Sequence, residues 1–293
     1  WVKLSEKENK NIFDLTIGGL GLTGTIVQVT FKLININNTF FNTKKISVNN
    51  IQESKKYFSR ENINNSFIYS WHRADSLSNF GEGIIYENLI DTSSENNFKN
   101  FKVKNNNFRP LFFPFWNKFS IKLINKFFLL FNKLDAKEKK EDFLKVIFPF
   151  YGKENYFNFF GRKGFLEIQL LINQIYLEQF LNEFKKLYQI HKPTISLFSI
   201  KNMSGEQNLI RFEDNKVCLT FDFIKNRSSL SFMEQIDKLY LKYEILPSVA
   251  KDSRIGKDTF YKTYKYATEF KKKLYEFDKK RTYKSEVSRR LEL

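Results

Sequence analysis

GFLEIQLLINQIYLEQFLNEFKKLYQIHKPTISLFSIKN, Gly164 to Asn202, decides the fold. Gly164–Ile172 reads as a strand. Tyr176–Tyr188 reads as a helix, with Leu177, Leu181, Phe184 and Tyr188 on one face. Thr194–Asn202 reads as the next strand. Ser204–Asn208 is a turn, and Lys216–Phe223 is another strand. Ser231 and Glu234 have capping-box spacing for a helix running to about Tyr243. Phe232, Ile236, Leu239 and Tyr243 form its apolar stripe. Strand–helix–strand, twice over, is the split βαβ arrangement. A last helix is expected over Asp258–Phe277, followed by a basic tail.

Side chains alternate across a strand, so each strand predicts two faces. In Lys216–Phe223, Val217, Leu219, Phe221 and Phe223 share one face, and Cys218, Thr220 and Asp222 the other. Glu167 and Gln169 lie together on the first strand, and Ser199 and Lys201 on the second. Paired in one sheet, these strands gather Glu167, Gln169, Lys201, Cys218 and Thr220 on one surface. Such a surface is either a substrate-binding face or the solvated side of an antiparallel sheet.

Upstream, IGGLGLTG (Ile17–Gly24) is a Gly-rich turn, and TIVQVTFKL (Thr25–Leu33) alternates like a strand. Dense glycine lets backbone approach something closely. The turn runs into a strand rather than a helix, so it is not the dinucleotide fingerprint. Lying so close to Trp1, it reads as the remainder of a unit whose support lies upstream. Asn35–Asn50 reads as turns with a short strand, Ser66–Trp71 and Gly83–Tyr86 as strands, and residues 92–109 as an exposed loop.

The 293 residues allow one large domain or two ordinary ones. The 34 Phe exclude a disordered chain, and the single Cys218 excludes a disulfide scaffold. A net charge of +17 points to nucleic acid or an anionic membrane, or to a general Lys-rich bias. The lysines are spread from Lys3 to Lys284, and no nucleic-acid motif accompanies them. His72 and His191 stand apart and no paired-cysteine spacing exists, so no metal site is expected.

Phe112–Leu134 is the strongest amphipathic segment. On a helix from Lys118, Lys118, Lys122, Lys126 and Lys133 share an arc with Asn125 and Asn132. Phe119, Leu123, Ile124, Phe127, Leu130, Phe131 and Leu134 fill the other side. The lysines interrupt any run long enough to span a bilayer. The apolar side packs on the chain's own core, lies on an anionic membrane surface, or takes a partner helix.

Four motifs occur in order: IGGLGLTGTIVQVT from Ile17, GRKGFLEIQL (Gly161–Leu170), AKDSR (Ala250–Arg254) and SEVSRRLEL (Ser285–Leu293). Together with Trp71 they resemble the decaprenylphosphoryl-β-D-ribose 2-oxidase family, within the vanillyl-alcohol-oxidase-type FAD-linked oxidases. The resemblance runs over essentially the whole chain. It implies an α+β chain: an antiparallel-sheet substrate domain with flanking helices (residues 36–245), plus a partial, discontinuous FAD-binding domain (residues 1–35 and 246–293). The family's phosphate-binding half would lie upstream, making this a C-terminal piece of a longer enzyme.

The resemblance also assigns residues. Gly18, Gly19, Gly21, Leu22, Thr23 and Gly24 match the stretch that meets FAD through its backbone. Lys251 matches the lysine beside flavin and substrate, which makes it the catalytic candidate. Trp71, Glu167, Gln169, Lys201 and Cys218 match substrate-pocket positions, with Glu167 standing where the family has a glutamine. A gapless count back from Lys251 selects Thr220 in place of Cys218; local fit favours Cys218. A family pocket tyrosine falls on Ile147.

The implied reaction oxidises a secondary hydroxyl of a polyprenyl-phosphate-linked pentose to a ketone, with hydride passing to flavin N5 and FAD as cofactor. That is the first half of a ribose-to-arabinose 2-epimerisation in cell-envelope polysaccharide synthesis. A short-chain reductase partner would complete it. The implied setting is cytoplasmic, with peripheral membrane contact through Phe112–Leu134. An aldonolactone or sugar-alcohol oxidase of the same superfamily is the nearest competing reading. A basic nucleic-acid-binding module is the remote one.

Overall fold

VCLTFDFI, Val217–Ile224, is buried along almost its whole length and lies inside the sheet. The structure is a computed structural model that describes residues 1–33, 39–58, 66–91, 111–135 and 138–293. Its elements in chain order are α1 (Lys10–Thr16), β1 (Phe40–Val48), α2 (Ile51–Phe58), β2 (Ser66–His72), β3 (Gly83–Ile90) and α3 (Lys118–Leu134). Next come β4 (Lys139–Asp142), α4 (Phe143–Ile147), α5 (Asn155–Asn158), β5 (Phe165–Ile172), α6 (Gln174–His191) and β6 (Ile195–Asn202). The chain then forms β7 (Val217–Ile224), α7 (Arg227–Asp237), β8 (Leu246–Pro247), α8 (Lys257–Thr263), α9 (Ala267–Phe277) and α10 (Glu286–Leu291).

The fold is α+β. Eight strands form one sheet in the order β4-β1-β3-β2-β6-β7-β5-β8, and every neighbouring pair is antiparallel. β5 and β6 both flank β7, so β5-α6-β6 is a split βαβ unit, and β7-α7-β8 closes a second one around β5.

One face of the sheet carries the main core. Val217, Leu219, Phe221 and Phe223 of β7 pack there with Leu177, Phe180 and Phe184 of α6 and with Phe232, Met233 and Ile236 of α7. Phe221 stacks on Phe198 at 4.3 Å and on Phe184 at 4.7 Å. Burial of each such side chain stabilises by about 1.5–3 kcal/mol. Helix α6 starts where the Asn173 side chain accepts from the Ile175 amide. It stops at Lys192, which takes a left-handed conformation ahead of Pro193.

The opposite face meets two further clusters. Leu15 and Leu22 pack with Leu171, Cys218, Val249, Phe260, Phe270, Leu291 and Leu293, so both chain ends share one core. Trp116, Ile121 and Phe160 form the other, under α3.

Several sequence expectations need correction. Thr25–Leu33 is not a strand: it pairs with no strand among the described residues, and Ile26, Val27, Val29, Phe31 and Leu33 are exposed. Alternation sets a strand's faces, but a strand also needs a neighbour. β1 is a nine-residue strand inside the stretch read as mostly turns. Asn226, not Ser231, caps α7, which ends at Asp237. The helix expected over Asp258–Phe277 is two helices, α8 and α9, separated at Tyr264–Tyr266. The loop expected at residues 92–109 lies outside the described residues. Among the described residues, no helix is long and apolar enough to cross a membrane.

Candidate functional site

Cross-strand register brings the predicted polar residues together. On the face opposite the main core, Gln169 pairs with Thr220, Thr220 with Ser199, and Ser199 with Trp71. Beside this row, Glu167 pairs with Asp222, and Lys201 with Cys218. Lys251 reaches the same face from the loop after β8, its Nζ 3.5 Å from Glu167 Oε1. Gln169 Nε2 donates to that same oxygen at 2.9 Å. Glu167 is therefore the hub between sheet and loop.

The loop carrying Lys251 is held from several sides. The Ser248 amide donates to Gln169 O, and the Lys251 and Asp252 amides donate to Ser248 O. Arg254 binds Asp252 at 2.6 Å and Asp237 through two nitrogens. Arg290, from α10, donates to the carbonyls of Val249, Asp252 and Ile255. The AKDSR and SRRLEL motifs thus meet, one clamping the other. The backbone of Lys251 is thus fixed, and its half-exposed side chain is directed by Glu167.

A second polar group lies deeper. Asp222 is buried between Glu167 and Tyr156. The Tyr156 hydroxyl donates to Asp222 Oδ2 at 2.9 Å and lies 2.8 Å from Ser196 Oγ. Asp222 Oδ1 has no hydrogen-bond partner among the described residues. Burial, followed by the nearby Glu167 carboxylate, pushes the Asp222 acid up to about 8. Burial and the neighbouring Asp222 raise the Tyr156 phenol well above its ordinary value.

Strand alternation puts Asp222 on this face but assigns it no role, and no sequence pattern singles out Tyr156. An aspartate inside the apolar run VCLTFDFI was the available signal for the first. Nothing in KENYFNFFG distinguishes Tyr156 from the aromatic residues around it. The resemblance puts Ile147, at the end of α4, where the family has a tyrosine; in this fold Tyr156 brings a phenol to the sheet face.

Cys218 has no exposed surface and packs in the apolar cluster with Leu171 and Leu246. Burial raises its thiol. Thr220 stands in the polar row. Trp71 packs edge-on against Phe128 of α3 at 4.6 Å.

The Gly-rich turn stands on the chain-end core. Gly19 is required by packing, because a Cβ there would lie 1.9 Å from Leu15 O. A Cβ on Gly18 would meet Arg211. Gly21 has φ of 73° and faces open space, so its left-handed backbone is accessible. Leu22 is buried, Thr23 Oγ1 lies 2.8 Å from Thr16 Oγ1, and Gly24 lies beside the Tyr283 hydroxyl.

Neither histidine joins the cluster. His72 is buried with Nδ1 at 3.0 Å from Gly81 O, and burial pushes it down to about 4. His191 contacts Ser231. Among the described residues, no group of three or more His, Cys, Asp or Glu is placed to share a metal ion. In comparisons with known proteins, no family model matches the chain and no curated protein does.

Proposed function

We propose that the chain is part of an FAD-linked oxidoreductase that oxidises a secondary hydroxyl of a sugar, a polyprenyl-phosphate-linked pentose by preference. The observation that carries this reading is the Lys251–Glu167–Gln169 cluster on the sheet face, with the orphaned carboxylate oxygen of Asp222 next to it. A buried polar atom without a protein partner is one that water or a polar ligand can satisfy.

Two groups would hold the flavin. Lys251 offers a cation at the face, and the turn at Gly21 offers open backbone. FAD, when bound, supplies the hydride acceptor. Lys251 Nζ holds positive charge where negative charge develops during the reaction. The Gln169 amide, the Thr220 hydroxyl and the Lys201 ammonium orient the sugar hydroxyls and its phosphate. Glu167 fixes Lys251 and Gln169 relative to each other. Residues 1–35 and 246–293 are assigned to the FAD-binding domain and residues 36–245 to the substrate domain; Leu15 and Leu22 share a core with Leu291 and Leu293, and that core continues onto the sheet through Leu171 and Cys218.

The test is anaerobic flavin bleaching of the full-length, FAD-loaded protein with candidate sugars. Bleaching by polyprenylphosphoryl pentose supports the reading. Bleaching only by aldonolactones or free sugar alcohols moves the chain to the competing oxidase class.

A further inference from the structure

Helix α3 buries the side that sequence reasoning left polar. Ile121, Asn125 and Leu129 face the protein, Asn125 Nδ2 donates to Asp75 Oδ2 at 2.9 Å, and the Tyr86 hydroxyl donates to Asn132. The aromatic side faces out. Phe119, Leu123, Phe127, Leu130, Phe131 and Leu134 are all exposed, Phe119 at 77% and Leu134 at 75%. The preceding segment adds Phe112 and Phe113, at 65% and 74%. Contiguous apolar surface of this kind marks an interaction site.

Charge identifies the occupant. Leu111 to Leu134 contains no Asp or Glu. Lys118, Lys122 and Lys126 are exposed, lie on the arc between the buried stripe and the aromatic arc, and form no ion pair among the described residues. At the other end, the Arg162 guanidinium sits 4.7 Å over the Phe112 ring. A folded-protein partner would cover the aromatics but leave three adjacent lysines to be matched. An anionic bilayer answers both: rings enter the acyl boundary while lysines meet headgroups.

We propose that the outer face of α3, with Phe112 and Phe113, docks the protein on an anionic lipid bilayer. The helix lies in the headgroup plane. It covers the sheet face that holds the polar cluster, through the Trp71–Phe128 contact, so docking puts that cluster on the membrane side of the molecule. The proposal stands on exposure and charge and holds whatever chemistry the cluster performs.

The experiment is co-sedimentation of the full chain with phosphatidylcholine vesicles, with and without phosphatidylglycerol, at low and high salt. No turnover is involved, so its failure leaves the oxidoreductase reading standing. The wild-type chain should pellet with the anionic vesicles, with binding falling as salt rises. The triple change Lys118→Gln, Lys122→Gln, Lys126→Gln should weaken partitioning on the order of a hundredfold, about fivefold per lysine. Phe127→Asp with Phe131→Asp should abolish binding; both sites are exposed, and circular dichroism checks the fold. The salt series on wild type needs no variant. Absence of binding to anionic vesicles, or equal binding to neutral ones, overturns the proposal. So does a dimer that the Phe changes dissolve while vesicles capture nothing.

Discussion

Glu167 and Asp222 are cross-strand neighbours on β5 and β7, two carboxyl groups on one half-enclosed sheet face. Two such groups resist ionising together. Glu167 has Lys251 and Gln169 as partners, whereas Asp222 has Tyr156 and an unpartnered oxygen. The environments differ, so the deeper carboxyl holds the proton.

That arrangement sets a pH dependence. The Asp222 acid is raised to about 8, so between the ordinary aspartate range and about 8 the folded state binds the extra proton. Stability then falls as pH rises through that window and levels above it. His72, held neutral with its value pushed down to about 4, acts oppositely below about 6.5, where the unfolded imidazole charges. The two offset each other at acid pH, leaving a net decline from about 6.5 to 8. Urea unfolding across pH should show that decline, Asp222→Asn should flatten it, and Glu167→Gln should move its midpoint down. A profile unchanged in Asp222→Asn contradicts this assignment.

Tyr156→Phe removes a donor from a buried carboxyl and from Ser196. The expected loss is about 1–3 kcal/mol. Because the phenol's hydrogen bond lowers the Asp222 value, its removal should raise that value further. Denaturant titration of the variant at acid and neutral pH measures both effects.

Arg73 holds Asp75 through two nitrogens and Glu82 through a third, and Asp75 also anchors Asn125 of α3. The Arg73 and Asp75 side chains are 7% and 1% exposed. Arg73→Met strands a buried charge, with an expected cost of about 3–5 kcal/mol. Thermal unfolding should show it clearly; a loss under about 1 kcal/mol would mean that water already reaches the pair.

Cys218 is fully buried with its thiol raised. In native buffer it should react with a thiol reagent orders of magnitude more slowly than in denaturant. Rapid native reaction would show that the apolar cluster opens to solvent.

The split βαβ core was legible because its strands are apolar runs, such as Phe165–Ile172 and Val217–Ile224, and an amphipathic helix joins the first of them to β6. The gathering of Glu167, Gln169, Lys201, Cys218 and Thr220 on one face followed from strand parity once the strands pair in one sheet; that Cys218 sinks into the apolar cluster there did not. Three further features were not legible. Thr25–Leu33 alternates like a strand, yet its state depends on a neighbour that alternation does not encode. The wheel of α3 divides lysines from phenylalanines, yet its buried side is set by what Asn125 and Asn132 find on the sheet. Tyr156 reaches Asp222 by packing across 66 residues of sequence, which no local pattern reports.

The most direct test of the oxidoreductase account is anaerobic flavin absorbance of the full-length, FAD-loaded protein with its sugar substrate, in wild type and Lys251→Ala. The account predicts flavin bound in both, bleaching in wild type, and bleaching lost in the variant. Failure of the full-length protein to retain flavin, or equal bleaching in both proteins, would contradict it.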